Sequence, residues 1–247
     1  MKSVSNETLF SSKEDVMPQR YFLNEKSNVI TGQDAHHIKK VMRMKTGDEL
    51  IVCYHNSCFL AVIDVEQEDV HFSVIKELES KKSLNVTLIQ GLPKGSKTET
   101  IVKYATIFGA SSIVFLEMNR SIAKVDNENN KIKRLSVIAK EAAELSHRFN
   151  LPTISFEKKL ENIDLSAFDL ILLADENHLT TSLEDVILHE HLSKKIALII
   201  GPEGGITDLE RTYLAKQKAA FISLGNLILP TEVACLYALS YLSIKNS

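Results

Sequence analysis

The chain has 247 residues, of which 44% are hydrophobic and 25% charged, and its formal net charge at pH 7 is −3. This composition fits an ordinary globular protein with one large domain or two smaller ones, and it excludes a strongly basic nucleic-acid coat protein. No apolar run approaches the roughly 18 residues that a membrane span needs, and the first residues lack the apolar core of a signal peptide. We therefore expect a cytoplasmic protein without a membrane anchor.

Three cysteines, Cys53, Cys58 and Cys235, are scattered along the chain. They are too few for a disulfide framework, and their spacing is not that of zinc ligands. His36 and His37 are adjacent, so on a helix they point in different directions and make a poor metal pair. The sequence therefore predicts unpaired cysteines in a reducing compartment and no bound metal.

Residues 1–16 are polar and lack periodicity, which predicts a disordered extension. An upstream start codon chosen in error is the alternative, because residues 17–22 resemble the usual start of a known family. Residues 20–80 read as short strands around one helix, which is the pattern of a small β-barrel. The helix is expected at 33–44, with Ile38, Val41 and Met42 on one face. The strands are expected at 29–30, 49–54, 58–65 and 71–77.

From Val86 onward, apolar runs alternate with helical patterns. Strands are predicted at 86–90, 112–116, 169–174, 196–200 and 220–224, and helices at 97–109, 128–148, 208–218 and 231–244. The alternation predicts an α/β fold with a mostly parallel sheet, and the domain boundary falls near 80–85. The last helix is nearly all apolar, which predicts burial in the core or in a subunit interface.

A glycine-rich loop, Gly-Pro-Glu-Gly-Gly-Ile-Thr over residues 201–207, directly follows the apolar run 196–200. Glycines permit positive φ and close approach of the backbone to a ligand, and Thr207 can cap the next helix. Ligands of open α/β sheets bind beyond the carboxyl ends of strands. The loop matches neither phosphate-binding fingerprint, so we expect nucleoside binding, with an ordinary strand–helix turn as the alternative.

A second segment that turns from a strand into a helix follows at 224–234. We call the loop at 201–207 the first elbow and this segment the second elbow. Pro230 stands where a helix begins, a position that suits its fixed φ. The carboxylate of Glu232 lies in the first helical turn, where the helix dipole favours it. Glu232 is therefore either part of a site or only a helix-start carboxylate.

The predicted helix 128–148 carries Glu144 and Arg148 at an i,i+4 spacing, off its apolar stripe. The spacing favours a surface ion pair worth about 0.2–0.5 kcal/mol. The alternative is that the end of the helix delivers Arg148 to an RNA phosphate or to the edge of a uracil.

Basic residues cluster in two places, which suits docking onto a folded RNA surface without a high net charge. The first cluster is Lys39, Lys40, Arg43 and Lys45. The second is Lys94, Lys97 and Lys103, with Arg120 and Lys124 nearby. A solvated face is the alternative for each cluster.

Several short blocks, in this order, resemble the small-subunit ribosomal-RNA methyltransferase E family of the SPOUT superfamily. They are 36–43 with Gly47-Asp48, 94–99, 105–109, 119–121, 141–148 with Pro152, 201–205 and 224–234. The resemblance implies a PUA-like RNA-binding barrel at 17–82 and a SPOUT-type α/β methyltransferase domain with a deep trefoil knot at 83–247. It also implies a homodimer that uses S-adenosylmethionine to methylate N3 of a uridine in 16S rRNA of the small ribosomal subunit.

The resemblance also implies roles for individual residues. The implied catalytic residues are Arg148, Glu144, Arg120 and Glu232. The implied cofactor contacts are Leu173, Gly201, Pro202, Glu203, Gly204, Gly205, Leu224, Gly225, Ile228, Leu229, Thr231 and Ala234. The implied RNA contacts are Arg20, His36, Lys39, Lys40, Arg43, Lys94 and Lys97.

The chain departs from the family pattern at four positions. Leu227 and Pro230 stand where basic residues are usual, Leu145 replaces a glutamine, and His147 replaces a small residue. Two lost cations beside the cofactor loop leave two further hypotheses open. One is a related methyltransferase with another RNA target, such as tRNA, and the other is a non-catalytic RNA-binding or ribosome-assembly protein.

Overall fold

A computed structural model describes residues 18–66, 68–80, 84–178, 180–187 and 194–246. The predicted extension over residues 1–16 lies outside this range. The described residues form two sheets, of which the first ends at Glu77 and the second begins at Val86. In the part of the chain that the structure describes, no helix combines the length and apolar character needed to cross a bilayer.

The first sheet has the strand order β1-β3-β4-β5-β2. β1 runs parallel to β3, and the other neighbours are antiparallel. Tyr21, Leu50 and Phe72 belong to the apolar cluster of this sheet, which also takes in Ile38. The strands are β1 (Arg20–Phe22), β2 (Val29–Ile30), β3 (Glu49–Tyr54), β4 (Ser57–Val65) and β5 (Val70–Glu77).

The helix predicted within this first part is shorter and irregular. α1 (Gly32–His36) is α-helical, and one π-helical turn continues it over His37–Val41. The wider π turn rotates the following residues away from the apolar stripe of a regular helix. Ile38 is buried as predicted, but Val41 is 60% exposed and Met42 is 38% exposed. The prediction for Val41 and Met42 is therefore wrong.

Two of the cysteines are paired, contrary to expectation. The turn His55-Asn56 has φ values of 50° and 63°, as in a two-residue hairpin of type I′. This turn sets the register in which Cys53 of β3 stands opposite Cys58 of β4, and the two form a buried disulfide. The prediction of unpaired cysteines is therefore wrong. It rested on the number and spacing of the cysteines, whereas the strand register brings these two sulfurs together. Cys235 is a free, buried thiol.

The second sheet is parallel throughout and has the order β11-β9-β10-β6-β7-β8. The sequence predicted each strand except β8, which lies at the edge and buries only Phe156 of its five residues. It therefore lacks the unbroken apolar run of a central parallel strand. The strands are β6 (Val86–Gly91), β7 (Ser112–Leu116), β8 (Thr153–Glu157), β9 (Leu170–Ala174), β10 (Ile196–Ile200) and β11 (Ala220–Ile222).

Helices cover both faces of this sheet, as its apolar central strands require. On one face Ile101, Leu135 and Leu239 enter one apolar cluster, and on the other face Leu214 enters a second. The helices are α2 (Lys97–Ile107), α3 (Glu128–Leu145), α4 (Leu183–Val186), α5 (Asp208–Lys216) and α6 (Thr231–Lys245).

The chain crosses the sheet between β11 and α6. β11 lies at one edge, whereas α6 begins beside β6, where Gln90 Nε2 donates to Thr231 Oγ1 at 2.7 Å. Thr231 Oγ1 in turn donates to the carbonyl of Gly201 at 2.5 Å. Residues 223–230 therefore pass over the C-terminal ends of β9 and β10. The trefoil knot implied by the family resemblance stays a prediction.

Arg20 joins the two sheets instead of facing RNA. Its side chain is buried, it donates to the carbonyls of His147 and Arg148, and it lies 4.9 Å from the ring centroid of Phe149. These carbonyls follow the C-terminal end of α3, where backbone acceptors lack helical partners. Because the guanidinium is enclosed, the prediction that Arg20 binds RNA is wrong.

The apolar helix α6 divides its residues between the core and the surface. Leu239 is fully buried against the chain's own sheet, which agrees with burial of this helix in the core. Tyr237 is 55% exposed and Val233 is 40% exposed. The predicted homodimer stays a prediction, and the exposed pair now marks the part of α6 that a second subunit would cover.

Replacing Tyr237 by Glu is expected to give a folded monomer. A charge at an apolar interface weakens the association of subunits more than it destabilises the fold of each one. Leu239→Asp, two residues further along α6, is expected to unfold the chain because it buries an unpaired charge. Light scattering after size exclusion, together with urea unfolding, separates the two effects. A Tyr237→Glu protein with unchanged subunit stoichiometry contradicts the proposed interface.

Candidate active site

A cavity of about 500 Å³ opens at the C-terminal ends of β9, β10 and β11. Its wall is formed by residues 174–176, 200–205 and 223–231, together with Lys97 and Ala234. A parallel sheet gathers the loops that follow its strands at one edge, which is why both predicted elbows meet here. The volume suits a ligand of nucleoside size.

Nearly all residues predicted to bind a cofactor line this one cavity. Leu173 does not, because it is fully buried within β9 and belongs to the core. The cavity wall begins at the next residue, Ala174, and the prediction that Leu173 contacts the cofactor stays a prediction. The predicted residues on the wall are Gly201, Pro202, Glu203, Gly204, Gly205, Leu224, Gly225, Ile228, Leu229, Thr231 and Ala234.

The first elbow is held by a capping box at the start of α5. Thr207 Oγ1 accepts from the Glu210 backbone N–H at 3.3 Å, and the Glu210 carboxylate accepts from the Thr207 backbone N–H at 2.8 Å. The other Glu210 oxygen accepts from the Asn119 backbone N–H at 2.9 Å. This carboxylate thereby fixes the neighbouring segment, in which Arg120 Nη1 donates to the Gly204 carbonyl at 3.1 Å.

The glycines of the two elbows serve different purposes. A Cβ on Gly204 would lie 2.9 Å from Arg120 Cβ, and a Cβ on Gly205, where φ is 71°, would lie 2.6 Å from Glu176 Oε1. Those two glycines are needed for packing within the protein. Gly225 has φ 113° and no protein atom within 4 Å of a Cβ position, so its absent side chain leaves space at the cavity itself.

Lys97 links the two elbows from inside the cavity. Its Nζ lies 3.0 Å from Glu203 Oε1 and 2.9 Å from Glu232 Oε2. Hydrogen bonds to Glu232 and Glu203 raise the pKa of Lys97. The side chain predicted to contact RNA is therefore engaged within the site. Glu232 lies behind Lys97 and is not on the cavity wall.

Asp175 and Glu176 line the cavity and were missed from the sequence. Arg211 donates to both carboxylate oxygens of Asp175, at 2.6 and 3.0 Å, and lies 3.9 Å from Glu176. Burial alone would raise the pKa of Asp175, but the hydrogen bonds from Arg211 hold it below its usual value. Their position directly after β9, at the carboxyl end of a parallel strand, is the signal that could have found them.

Arg148 does not reach the cavity of its own chain. Its Nη1 donates to the carbonyls of Thr106 and Ala110 at 2.7 and 2.9 Å, and its Nη2 donates to Asn150 Oδ1 at 2.8 Å. Ala110 precedes β7, so this arginine lies where the strands begin, at the end of the sheet opposite the cavity. Burial lowers the pKa of Arg148 to about 10. Within one protomer this geometry contradicts both a catalytic role and the surface ion pair with Glu144.

Glu144 likewise lies away from the cavity, where α3 meets the first sheet. It accepts from the Phe22 backbone N–H at 3.3 Å and lies 3.9 Å from Lys140 Nζ, which also pairs with Asp34. Burial raises the pKa of Glu144 to about 7. Its predicted catalytic role is therefore wrong for the cavity of the same chain.

Glu144→Gln is expected to stabilise the protein at pH 8 and to change little at pH 5. The folded-state pKa of about 7 lies above the ordinary 4.5, so the native state holds the proton more tightly and loses stability as pH rises through 7. Glutamine imitates the protonated carboxyl, so urea unfolding should show a gain of about 2 kcal/mol at pH 8. Glu141→Gln, at an exposed neighbour, is the control. An equal change at both pH values contradicts the assignment.

The other predicted RNA contacts lie on two surfaces. His36, Lys40 and Arg43 are exposed beside the first sheet, where Lys39 is partly buried, and Lys94 is exposed beside the first elbow. RNA binding by these residues stays a prediction. Within the described ranges, no group of three or more His, Cys, Asp or Glu side chains is placed to hold a metal ion.

Comparison with known proteins gives the class first. The model of the RNA methyltransferase domain matches residues 80–243, and that of the RNA methyltransferase PUA domain matches residues 30–89. Together with the parallel sheet and its cavity, these matches define an RNA methyltransferase with a PUA domain.

One relative identifies the family within this class of RNA methyltransferases. The ribosomal RNA small subunit methyltransferase E of Bacillus subtilis is 34% identical over 251 residues, which cover 92% of this chain and 96% of the relative. The chain belongs to the ribosomal RNA small subunit methyltransferase E family. This confirms the family resemblance and, apart from the knot, the predicted fold class.

Solved structures agree with this fold. A Legionella pneumophila protein classed as a methyltransferase, solved with its cofactor SAM, is 25% identical with a TM-score of 0.81, covering 93% of this chain and 98% of the other. A ribosomal RNA small subunit methyltransferase E from Neisseria gonorrhoeae, bound to S-adenosyl methionine, has a TM-score of 0.78 at 21% identity, covering 91% of this chain and 96% of the other. The second likeness concerns the fold alone.

Proposed function

We propose that the protein binds S-adenosylmethionine and methylates N3 of a uridine in 16S rRNA of the small ribosomal subunit. The observation that carries the proposal is that two glycine-containing elbows, 201–205 and 224–231, face one cavity in a chain of the methyltransferase E family. The cofactor bound in the Legionella relative supports the choice of ligand. The proposal implies a cytoplasmic enzyme that acts on ribosomal subunits.

The residues of the cavity suit S-adenosylmethionine in kind. Leu224, Ile228 and Leu229 offer apolar surface for an adenine ring, and the peptide groups of the elbows offer donors and acceptors for its edge. The missing side chain of Gly225 leaves the backbone open to close approach. When bound, S-adenosylmethionine supplies an electrophilic methyl group on a sulfonium sulfur.

The protein's own residues then have a limited task. Most acceleration of an in-line displacement can come from positioning, and the uracil ring needs a neighbouring cation as its N3 proton leaves. Arg120, which is exposed and bonded to the Gly204 carbonyl beside the cavity, is the predicted catalytic residue best placed for that. Leu227 and Pro230 stand where the family usually has basic residues. We assign to Arg120 and Lys97 the positive charge that those residues would supply.

The proposal is tested by methyl transfer from labelled S-adenosylmethionine. The acceptors are small subunits lacking the modification, fully modified small subunits, and tRNA, and nucleosides are then separated by mass spectrometry. We expect 3-methyluridine from the unmodified subunits only. Methylated tRNA supports another RNA target. Cofactor binding without any transfer supports a non-catalytic RNA-binding protein.

Replacing Lys39, Lys40 and Arg43 together by Ala is expected to weaken binding to small subunits by tenfold or more. Each lost phosphate contact should also flatten the salt dependence by about 0.7–0.9 in the logarithmic slope. Filter binding between low and high salt measures both effects, and calorimetry should show unchanged cofactor affinity. Lys133→Ala with Arg134→Ala on α3 removes charge elsewhere as the control. An unchanged salt slope in the triple variant contradicts an RNA role for this cluster.

A further inference from the structure

The cavity is surrounded by more carboxylates than cations. On its wall, Asp175, Glu176 and Glu203 are acidic and Lys97 is basic. Behind the wall, Glu232 contacts Lys97 and Arg211 contacts Asp175. Four carboxylates therefore face two cations. Asp208, which also contacts Arg211, and Arg120, beside the first elbow, add one charge of each sign and leave this excess unchanged, so the space between the elbows has a negative potential.

The two cations are already committed to particular carboxylates. Lys97 lies within 3.0 Å of both Glu203 and Glu232. Arg211 forms its short contacts with Asp175, at 2.6 Å, and with Asp208, at 3.0 Å. Both cations are thus held in place by partners other than Glu176.

Glu176 is the carboxylate left with the weakest compensation. Its nearest described cation is Arg211 at 3.9 Å, and its side chain is 42% exposed at the cavity. Gly205 makes this position possible, because a Cβ there would lie 2.6 Å from Glu176 Oε1. The positive φ of Gly205 and the missing side chain together let a charged oxygen approach the first elbow.

We propose that Glu176, opposed by Lys97, makes the cavity discriminate the charge on the ligand's sulfur. The inference rests on the proposed function. S-adenosylmethionine carries a sulfonium, whereas the demethylated product, S-adenosylhomocysteine, has a neutral thioether and is otherwise the same molecule. A negative potential favours the first over the second wherever the sulfur sits, and the charges common to both ligands cancel in the comparison.

This preference has a consequence for turnover. Once the methyl group has left, the ligand loses one positive charge and with it the attraction of Glu176, which favours exchange of product for a new methyl donor. Lys97 limits the effect, because too strong a hold on the sulfonium would stabilise the ground state against reaction. The two side chains therefore set the charge preference in opposite directions.

Calorimetry on the full chain tests the proposal with three ligands and no RNA. They are S-adenosylmethionine, S-adenosylhomocysteine and sinefungin, in which an amine-bearing carbon replaces the sulfonium and restores the positive charge. Glu176→Gln should reduce the preference for the two cationic ligands over S-adenosylhomocysteine about threefold to tenfold. Lys97→Met should shift the same ratio the other way.

A control and a salt series sharpen the test. Glu49→Gln, which removes an exposed carboxylate from β3 in the first sheet, should leave the ratio unchanged. Added salt should reduce the wild-type preference. Equal weakening of all three ligands by Glu176→Gln, or shifts of the same sign in both cavity variants, overturns the inference while the proposed function stands. Failure of every ligand to bind the wild-type chain overturns both.

Discussion

Gly225→Val is expected to weaken S-adenosylmethionine binding about 100-fold or more in a protein that still folds. The residue has φ 113°, and a Cβ there meets no protein atom within 4 Å. The Cβ of a valine therefore meets no described part of the chain, and we expect the cost to folding to be mainly backbone strain of about 1–3 kcal/mol. Loss of binding then reports on the space that the second elbow leaves for a ligand, which calorimetry measures directly.

Gly47→Val is the matched control for this experiment. Gly47 has φ 95° and also has no atom within 4 Å of a Cβ position, but it lies in a turn before β3. It should lose a similar amount of stability and keep its full cofactor affinity. If the two variants bind S-adenosylmethionine equally well, the second elbow does not hold the ligand.

Gly204, which the sequence also marks for close backbone approach, is a poorer choice for that test. A Cβ there would lie 2.9 Å from Arg120 Cβ and 3.1 Å from the Arg120 carbonyl. Gly204→Val would displace the segment beside the loop even without a ligand. We therefore expect Gly204→Val to lose local structure as well as cofactor binding.

Arg148→Ala is expected to destabilise the protein by about 3 kcal/mol, because buried carbonyls lose a charged donor. The guanidinium donates to the carbonyls of Thr106 and Ala110 and to Asn150 Oδ1, at the end of the sheet away from the cavity. Methyl transfer per folded molecule should stay near that of the wild type. Urea unfolding and single-turnover methyl transfer to unmodified small subunits measure the two quantities separately.

Arg134→Ala provides the surface comparison. Arg134 lies on α3, the helix that precedes Arg148. Its side chain is 60% exposed and it pairs with Glu99 at 3.2 Å, so its removal should cost less than about 1 kcal/mol. Arg148→Lys should recover part of the lost stability. If Arg148→Ala loses methyl transfer at unchanged stability, Arg148 acts in catalysis, at the cavity of a second subunit.

Apart from β8 and the short α4, the elements of the second sheet and the two elbows could be predicted because their causes are local. The run 196–200 is apolar at every position, as a strand covered on both faces must be. Gly205 and Gly225 supply positive φ where strands turn, and Thr207 begins α5 through a capping box with Glu210. Periodicity was least reliable in α1, where a π turn moved Val41 and Met42 to the surface.

Only the tertiary structure decided the partners of the polar side chains. Arg148, just beyond the end of α3, and Lys97, at the start of α2, are both basic residues at helix ends. Arg148 donates to carbonyls at the end of the sheet away from the cavity, whereas Lys97 bridges the two elbows inside it. Cys53 meets Cys58 because of a strand register. Glu176 enters the site because its strand ends beside Gly205. Residue type and period report which face a side chain occupies, whereas the groups on that face come from segments distant in sequence.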